Sequence, residues 1–137
     1  MIDFIGVKIA LFFDGTVLVC LRDSKPGLRF AGMWDFPGGG RENNEDPIEC
    51  IIREVAEEFS ITLKPDSIVW QKEYPAMHDP DLHAYFMVAK ITQQDVDSIR
   101  FGEEGQEWKF MSADEFLSRN DVVPQLKGRL QDYFRLR

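Results

Sequence analysis

Residues 46–59 announce a helix more plainly than any other segment announces its fold. Asp46 is an N-cap, Pro47 takes the first helical position, where its missing amide has no bond to lose, and Glu49 stands three residues after the cap to close a capping box. Ile48, Ile51, Ile52, Val55 and Phe59 recur at helical spacing, so one face of the segment has to lie on a core. The helix is expected to end at Ser60 or one residue later. Immediately upstream, Gly38-Gly39-Gly40 offers a very permissive backbone at the mouth of the helix.

The rest of the chain supplies the layer this helix needs. Phe4 to Leu21 is rich in Val, Ile, Leu and Phe and is broken only at Asp14-Gly15, which predicts two antiparallel strands joined by a two-residue turn. Asp23 to Gly32 reads as a loop and Met33 to Phe36 as a short strand stopped by Pro37. Ile68 to Tyr74, Leu82 to Lys90 and Glu107 to Met111 read as further strands. Ser112 to Glu115 is a second capping box, opening a short helix that ends near Arg119. Val123, Leu126, Leu130 and Phe134 predict a final amphipathic helix. Strands alternating with a few helices give an α+β or α/β layered fold, and 137 residues with no repeat, linker or low-complexity tract suit one domain over 1–137.

Charge narrows the function. Sixteen Lys+Arg against 24 Asp+Glu leave a formal net charge of -8, which disfavours nucleic acid polymers and acidic membrane surfaces as partners. The apolar run Ile9 to Phe13 is far too short to span a bilayer, and Met1 to Lys8 lacks the basic cluster of a secretory leader, so a cytoplasmic location is expected. Cys20 and Cys50 have neither metal-site spacing nor the numbers for a disulfide framework and read as buried apolar residues. The oligomeric state is not legible.

Glu54, Glu57 and Glu58 share one stripe of the capped helix at i, i+3 and i+4, where like charges repel by a few tenths of a kcal/mol per pair, as an order of magnitude. A hard divalent cation turns that repulsion into a binding site, because Mg2+ or Mn2+ prefers carboxylate and carbonyl oxygens. The alternative is a solvated acidic face with Arg53 paired to Glu49 and Glu57. The glycine run beside the helix weighs for the site, since bare backbone can offer a carbonyl to a metal or approach a phosphate closely.

These residues resemble the Nudix family. Its box reads Gly, five residues, Glu, seven residues, then Arg-Glu-apolar-x-Glu-Glu-x-Gly-apolar, and it aligns with Gly39, Glu45, Arg53, Glu54, Val55, Glu57, Glu58 and Ile61, eight of nine specified positions. Trp34-Asp-Phe-Pro-Gly-Gly39 is similar to the segment that leads into the box, and Glu42 fills an extra acidic position common there. Two residues depart from the pattern: Asn44 stands where glycine is frequent, and Ser60 replaces the last glycine. Asn tolerates the left-handed conformation better than most residues, whereas Ser60 pays roughly 1 kcal/mol if the helix exit needs positive φ.

The resemblance implies an α+β fold with a mixed sheet sandwiched between helices, and hydrolysis of a nucleoside diphosphate linked to another moiety with Mg2+ or Mn2+. Carried over by position, Glu54, Glu57 and Glu58 would ligate the metal with the Gly39 carbonyl, and Arg53 would pair with Glu45 or Glu54 to fix their rotamers. The MutT-type members it most resembles convert (d)NTPs, oxidised purine dNTPs among them, to (d)NMP and pyrophosphate. The general base is then Glu54 or, in the acidic loop Gly102 to Glu107, Glu104; that loop also reads as a plain solvated turn. Asn120 either reads a purine edge with its carboxamide or caps the final helix. Arg22 either faces substrate phosphates or is a surface arginine. An ADP-ribose or dinucleoside polyphosphate hydrolase, or a nucleotide-binding module without catalysis, are the alternatives.

Overall fold

The computed structural model describes residues 3–137. Seven strands form one sheet: β1 Gly6–Phe13, β2 Thr16–Leu21, β3 Trp34–Asp35, β4 Gly38–Gly40, β5 Ile68–Pro75, β6 His83–Lys90 and β7 Glu107–Ser112. The central path runs β3-β2-β1-β6-β5, with β4 paired to β1 and β7 to β2. Among the described strands only β1 and β6 pair in parallel, in register from Gly6↔Ala84 to Phe12↔Lys90, so the sheet is mixed. The helices are α1 Pro47–Phe59, α2 Gln93–Asp97, α3 Ala113–Ser118 and α4 Pro124–Leu136, with a 3-10 turn at Pro65–Ser67. No helix among the described residues is long and apolar enough to cross a membrane.

The layers follow from the two-residue period of the central strands. Ile9, Leu11, Leu18, Cys20, Met87 and Ala89 face one side and pack with Cys50, Ile51, Val55 and Phe59 of α1. Ala10, Val17, Val19, Phe86 and Val88 face the other and pack with Phe116 of α3 and Leu126, Leu130 and Tyr133 of α4. A sheet apolar on both faces needs both covers, and the sandwich between helices expected of an α+β fold is what forms. The hairpin turn has positive φ at both Asp14 and Gly15, the twist that suits a two-residue connection.

Several elements differ from the sequence reading. The glycine run is not a free turn: Gly38–Gly40 is a strand whose residues pair with Lys8, Val7 and Gly6. Gly38 has φ +144, and a Cβ there would overlap the Val7 carbonyl, so only glycine lets this backbone lie so close. The left-handed residue before α1 is Asn43, φ +52, rather than Asn44. Helix α2 has no apolar repeat to betray it; Thr92 and Asp95 make a reciprocal capping box around a five-residue helix. The box before α3 is half formed: Ser112 accepts the Glu115 amide, while the Glu115 carboxylate pairs with Arg119 instead. Val123 is the N-cap of α4, so Asn120, exposed and three residues earlier, does not cap it.

Candidate active site

Helix α1 begins as its sequence dictates. The Asp46 carboxylate accepts the Glu49 amide at 2.8 Å and the Glu49 carboxylate accepts the Asp46 amide at 3.0 Å. It ends at Ser60 in the left-handed region, φ +60, with the Ser60 amide donating to the Ala56 carbonyl at 3.0 Å. The last carbonyls are taken up from outside the helix: Arg100 N donates to the Phe59 carbonyl at 3.0 Å and Gly102 N to the Glu58 carbonyl at 2.9 Å. The loop carrying Glu104 is thereby docked on the end of α1. Its other side is tied to β2, with Gln106 N donating to Leu21 O at 2.8 Å and the Gln106 carboxamide to Arg22 O at 2.8 Å.

Arg53 organises the acidic stripe. Its guanidinium bonds Glu45 at 2.6 and 3.0 Å, Glu54 at 2.8 Å, Glu57 at 3.3 Å and the Gly40 carbonyl at 2.9 Å. That pairing with Glu45 and Glu54 holds Glu45 well below the usual carboxylate range, at about 2, and raises the guanidinium further. Of the two pairs expected for a solvated face, Arg53 with Glu49 and with Glu57, only the second forms, since Glu49 is occupied at the cap.

The carboxylates on α1 sit in different surroundings. Burial pushes the Glu58 carboxyl up to about 7 although Lys8 and the Gly38 amide, which donates to it at 2.8 Å, both oppose the rise. Burial also raises Glu54, against Arg53. Glu54 lies over Gly39 so closely that a Cβ at that glycine would overlap its carboxylate. Glu57 is the exposed member, its side chain 56% accessible. Among the described residues no three His, Cys, Asp or Glu side chains already converge as a metal centre, because Glu54 and Glu57 are turned to Arg53 and Glu58 to Gly38. The donor set nevertheless fits a hard cation: carboxylates and glycine carbonyls, all oxygen, two of the carboxylates desolvated with the Lys8 ammonium as the cation opposing the Glu58 rise.

Two adjoining cavities open beside these groups. The smaller, about 510 Å3, is lined by Arg22, Gly38, Gly39, Glu54, Glu58 and Glu104. The larger, about 560 Å3, reaches over Ile5, Phe30, Met77, His78, Val123 and Arg129. Lys8, Arg22, Leu28, Asp35, Gly39 and Gly40 border both, so the two are compartments of one cleft. Of the residues predicted from sequence, the structure brings Arg22, Gly39, Glu54, Glu58 and Glu104 to the smaller compartment. Arg53 and Glu57 adjoin it through Glu54, and Asn120 lines neither compartment.

Arg22 is neither free nor merely a surface residue. It donates to Asp35 at 3.0 Å and to the Arg29 carbonyl at 3.0 Å. Asp35 is 3% exposed and also takes the Lys8 ammonium at 2.8 Å and the Phe36 amide at 2.8 Å. Burial works against the Lys8 charge, yet Asp35, with a smaller contribution from Glu58, offsets it and the lysine pKa rises. Lys8 and Asp35 were missed in the sequence, although each left a signal: a lone lysine in an apolar strand, and an acid between Trp34 and Phe36. Both cysteines are buried as expected, and burial pushes the Cys50 thiol up to about 12.

Comparison with known proteins decides the family, since the NUDIX domain model matches residues 5–133. The chain belongs to the Nudix family. It is 32% identical over 103 residues to the 8-oxo-dGTP diphosphatase of Escherichia coli (strain K12), a match covering 71% of this chain and 76% of that protein. It is 35% identical over 79 residues to the 8-oxo-dGTP diphosphatase of Proteus vulgaris, covering 55% of this chain and 65%, just under two thirds, of that one. The MutT protein of Methanosarcina mazei Go1 has the same fold, with a TM-score of 0.74 at 22% identity over 98% of this chain and 95% of its own. This Nudix protein is a pyrophosphohydrolase of the MutT type. Its box is the strand β4, helix α1 and Glu45 assembly just described.

Proposed function

We propose that the chain hydrolyses nucleoside triphosphates to the nucleoside monophosphate and pyrophosphate, oxidised purine deoxynucleotides included, with Mg2+ or Mn2+ held by Glu54, Glu57, Glu58 and the Gly39 carbonyl. One observation carries the reading: Glu54 and Glu58 of α1 and the glycine strand share a compartment with Arg22 and Glu104, and that compartment runs into a second one walled in part by Ile5, Phe30, Met77 and Val123. A cleft of this form accepts phosphates at one end and a base at the other, and each compartment falls in the size range of small-molecule sites. The names of the two bacterial relatives support the substrate class.

Glu54, Glu57, Glu58 and the Gly39 carbonyl would hold the divalent ion, and its chemistry there would be to neutralise diphosphate charge and lower the pKa of water. The protein's own groups do the rest. Arg22 and Lys8, braced by Asp35, meet the phosphates at the border of the compartments. Arg53 holds Glu45 and Glu54 in fixed rotamers. Water adds to phosphorus, the bridging P–O bond breaks, pyrophosphate leaves, and Glu54 or Glu104 takes the water's proton. Glu54 has the desolvated carboxyl, while Glu104 has the loop docked on α1. Asn120 stands three residues ahead of Val123, which lines the larger compartment. Asn120→Ala, compared on 8-oxo-dGTP and dGTP, tests its assignment to the base.

The experiment is product analysis with Mg2+ on a panel of dNTPs, 8-oxo-dGTP, ADP-ribose and a dinucleoside polyphosphate, with Glu57→Gln as control. Nucleoside monophosphate plus pyrophosphate, fastest from 8-oxo-dGTP and absent in Glu57→Gln, is the expected result. AMP plus ribose phosphate as the main product, or tight binding without turnover, overturns it.

A further inference from the structure

The larger compartment ends on a charge that nothing above uses. Arg129 lies on the apolar stripe of α4 with Leu126, Leu130 and Tyr133, and only 4% of it is exposed. Among the described residues no carboxylate comes within ion-pair distance of it, which is unusual for so buried a guanidinium. Among the described residues its one acceptor is the Pro75 carbonyl, at 3.0 Å from Nη2, and its Cζ stands 4.9 Å from the centre of the Tyr74 ring. Tyr74 itself is spoken for, its hydroxyl donating to Asp132 at 2.8 Å.

A guanidinium has five N–H donors in a planar fork, so most of this one is uncommitted. No buried side-chain nitrogen or oxygen among the described residues lacks a hydrogen-bond partner, so the remaining Arg129 nitrogens reach open space. Arg129 lines the larger compartment, and that is the open space they meet. The neighbouring wall is apolar, with Ile5, Phe30, Met77, Ala84 and Val123. The carboxylates of α1 line the other compartment, on the far side of the Lys8, Asp35 and Arg22 border.

A planar donor fork on an apolar wall, away from the phosphate end, calls for a planar apolar ligand with acceptors on one edge. We infer that Arg129 is a specificity residue that reads the acceptor edge of a 6-oxopurine, its O6 and N7, and so favours guanine-type over adenine-type nucleotides. Adenine presents an amino donor where guanine presents O6, and two donors facing each other cost the pairing. Oxidation at C8 turns N7 into a donor that faces the fork, so Arg129 by itself favours guanine over the oxidised base, and the faster turnover expected of 8-oxo-dGTP has to come from other contacts. The inference rests on the nucleotide reading above, yet fails separately from it.

The test is calorimetric binding of GMP, IMP, 7-deaza-GMP and AMP to the metal-free full chain, in wild type, Arg129→Lys and Arg129→Gln. Wild type should bind GMP and IMP alike, and AMP roughly 5- to 150-fold more weakly, the discrimination a bidentate arginine–base pair gives. 7-deaza-GMP, which keeps O6 and lacks the N7 acceptor, should fall between. In both variants the GMP-to-AMP ratio should move toward one, with the lysine keeping the charge and losing the fork. Equal wild-type affinity for GMP and AMP overturns the inference without any variant, as does a ratio that survives Arg129→Gln in a protein with unchanged circular dichroism. Arg129-dependent loss of inorganic pyrophosphate binding in place of base preference also overturns it, assigning the residue to phosphate. Preference for GMP with no hydrolysis of any triphosphate leaves this inference standing and removes the hydrolase reading.

Discussion

Replacing Glu45 by Gln tests whether Arg53 acts through an ion pair or only through shape. Glu45 takes two bonds from the guanidinium, and its carboxyl is lowered from 4.5 to about 2. At about 1.4 kcal/mol per pH unit that shift corresponds to at most ~3.5 kcal/mol, and screening at the helix mouth reduces it to about 1–2 kcal/mol. Because the folded-state pKa is depressed, this stability is fully present above pH 4.5, where both states are ionised. It is lost as pH falls toward 2, because the unfolded chain takes up the proton first. Urea midpoints of the metal-free protein should therefore separate wild type from Glu45→Gln by about 1–2 kcal/mol at pH 7, with the gap closing between pH 4.5 and 2.5. The freed guanidinium also swings onto Glu54 and Glu57, so activity should fall about 10- to 100-fold, the usual effect of losing a group that orients ligands. A gap that stays constant to pH 2.5, or a variant as stable as wild type at pH 7, refutes the ion-pair account.

Glu58 has the opposite sign. Its carboxyl is raised from 4.5 to about 7, so the folded chain binds the extra proton and stability falls as pH rises from 4.5 through 7. Glu58→Gln, which carries no charge to bury, should be more stable than wild type by about 2 kcal/mol at pH 8 and equal to it at pH 4.5, by denaturation without metal, while losing activity. Ser60→Gly should stabilise by about 0.5–1 kcal/mol in the same assay, since φ +60 suits glycine and the Ser60 hydroxyl makes only a 3.4 Å contact to Arg100 O. Asp35→Asn should cost about 3 kcal/mol by stranding the half-buried Lys8 ammonium, and Lys8→Met on that background should restore part of it.

The parts of this molecule that were legible in the sequence are those fixed by local chemistry. The start of α1 needed only Asp46, Pro47 and Glu49, and the hairpin only Asp14-Gly15. The layered fold followed from strands alternating with a few helices, and the sheet between helices from the resemblance carried by the box residues, whereas the apolar residues at both parities of the central strands emerge only in the structure. Partners distant in sequence were not legible. Lys8 and Asp35 are 27 residues apart and meet only because β3 pairs β2, which pairs β1. Arg129 meets Pro75 and Tyr74 across 54 residues or more. Glu104 reads as a solvated turn until Arg100 and Gly102 are seen to occupy the last carbonyls of α1.

The exceptions to ordinary folding rules are themselves a map of the site. A triple glycine in a strand forfeits side-chain packing and pays backbone entropy, so a stable strand should not contain one. Here the Val7 carbonyl and the Glu54 carboxylate stand where the Cβ atoms of residues 38 and 39 would go. The same helix that buries Ile51 and Val55 also buries the Glu58 carboxyl, and beside it Lys8 and Asp35 leave water together. Each departure costs stability, and apolar residues in place of Lys8, Asp35 and Glu58 would fold more comfortably. All of them border one cleft. Costs borne independently by β1, β3, β4 and α1 do not converge on one place for the sake of the fold. They converge on the compartment that holds oxygen donors and bare backbone at one end and the braced cations Lys8 and Arg22 at its border, the arrangement that the proposed hydrolysis requires.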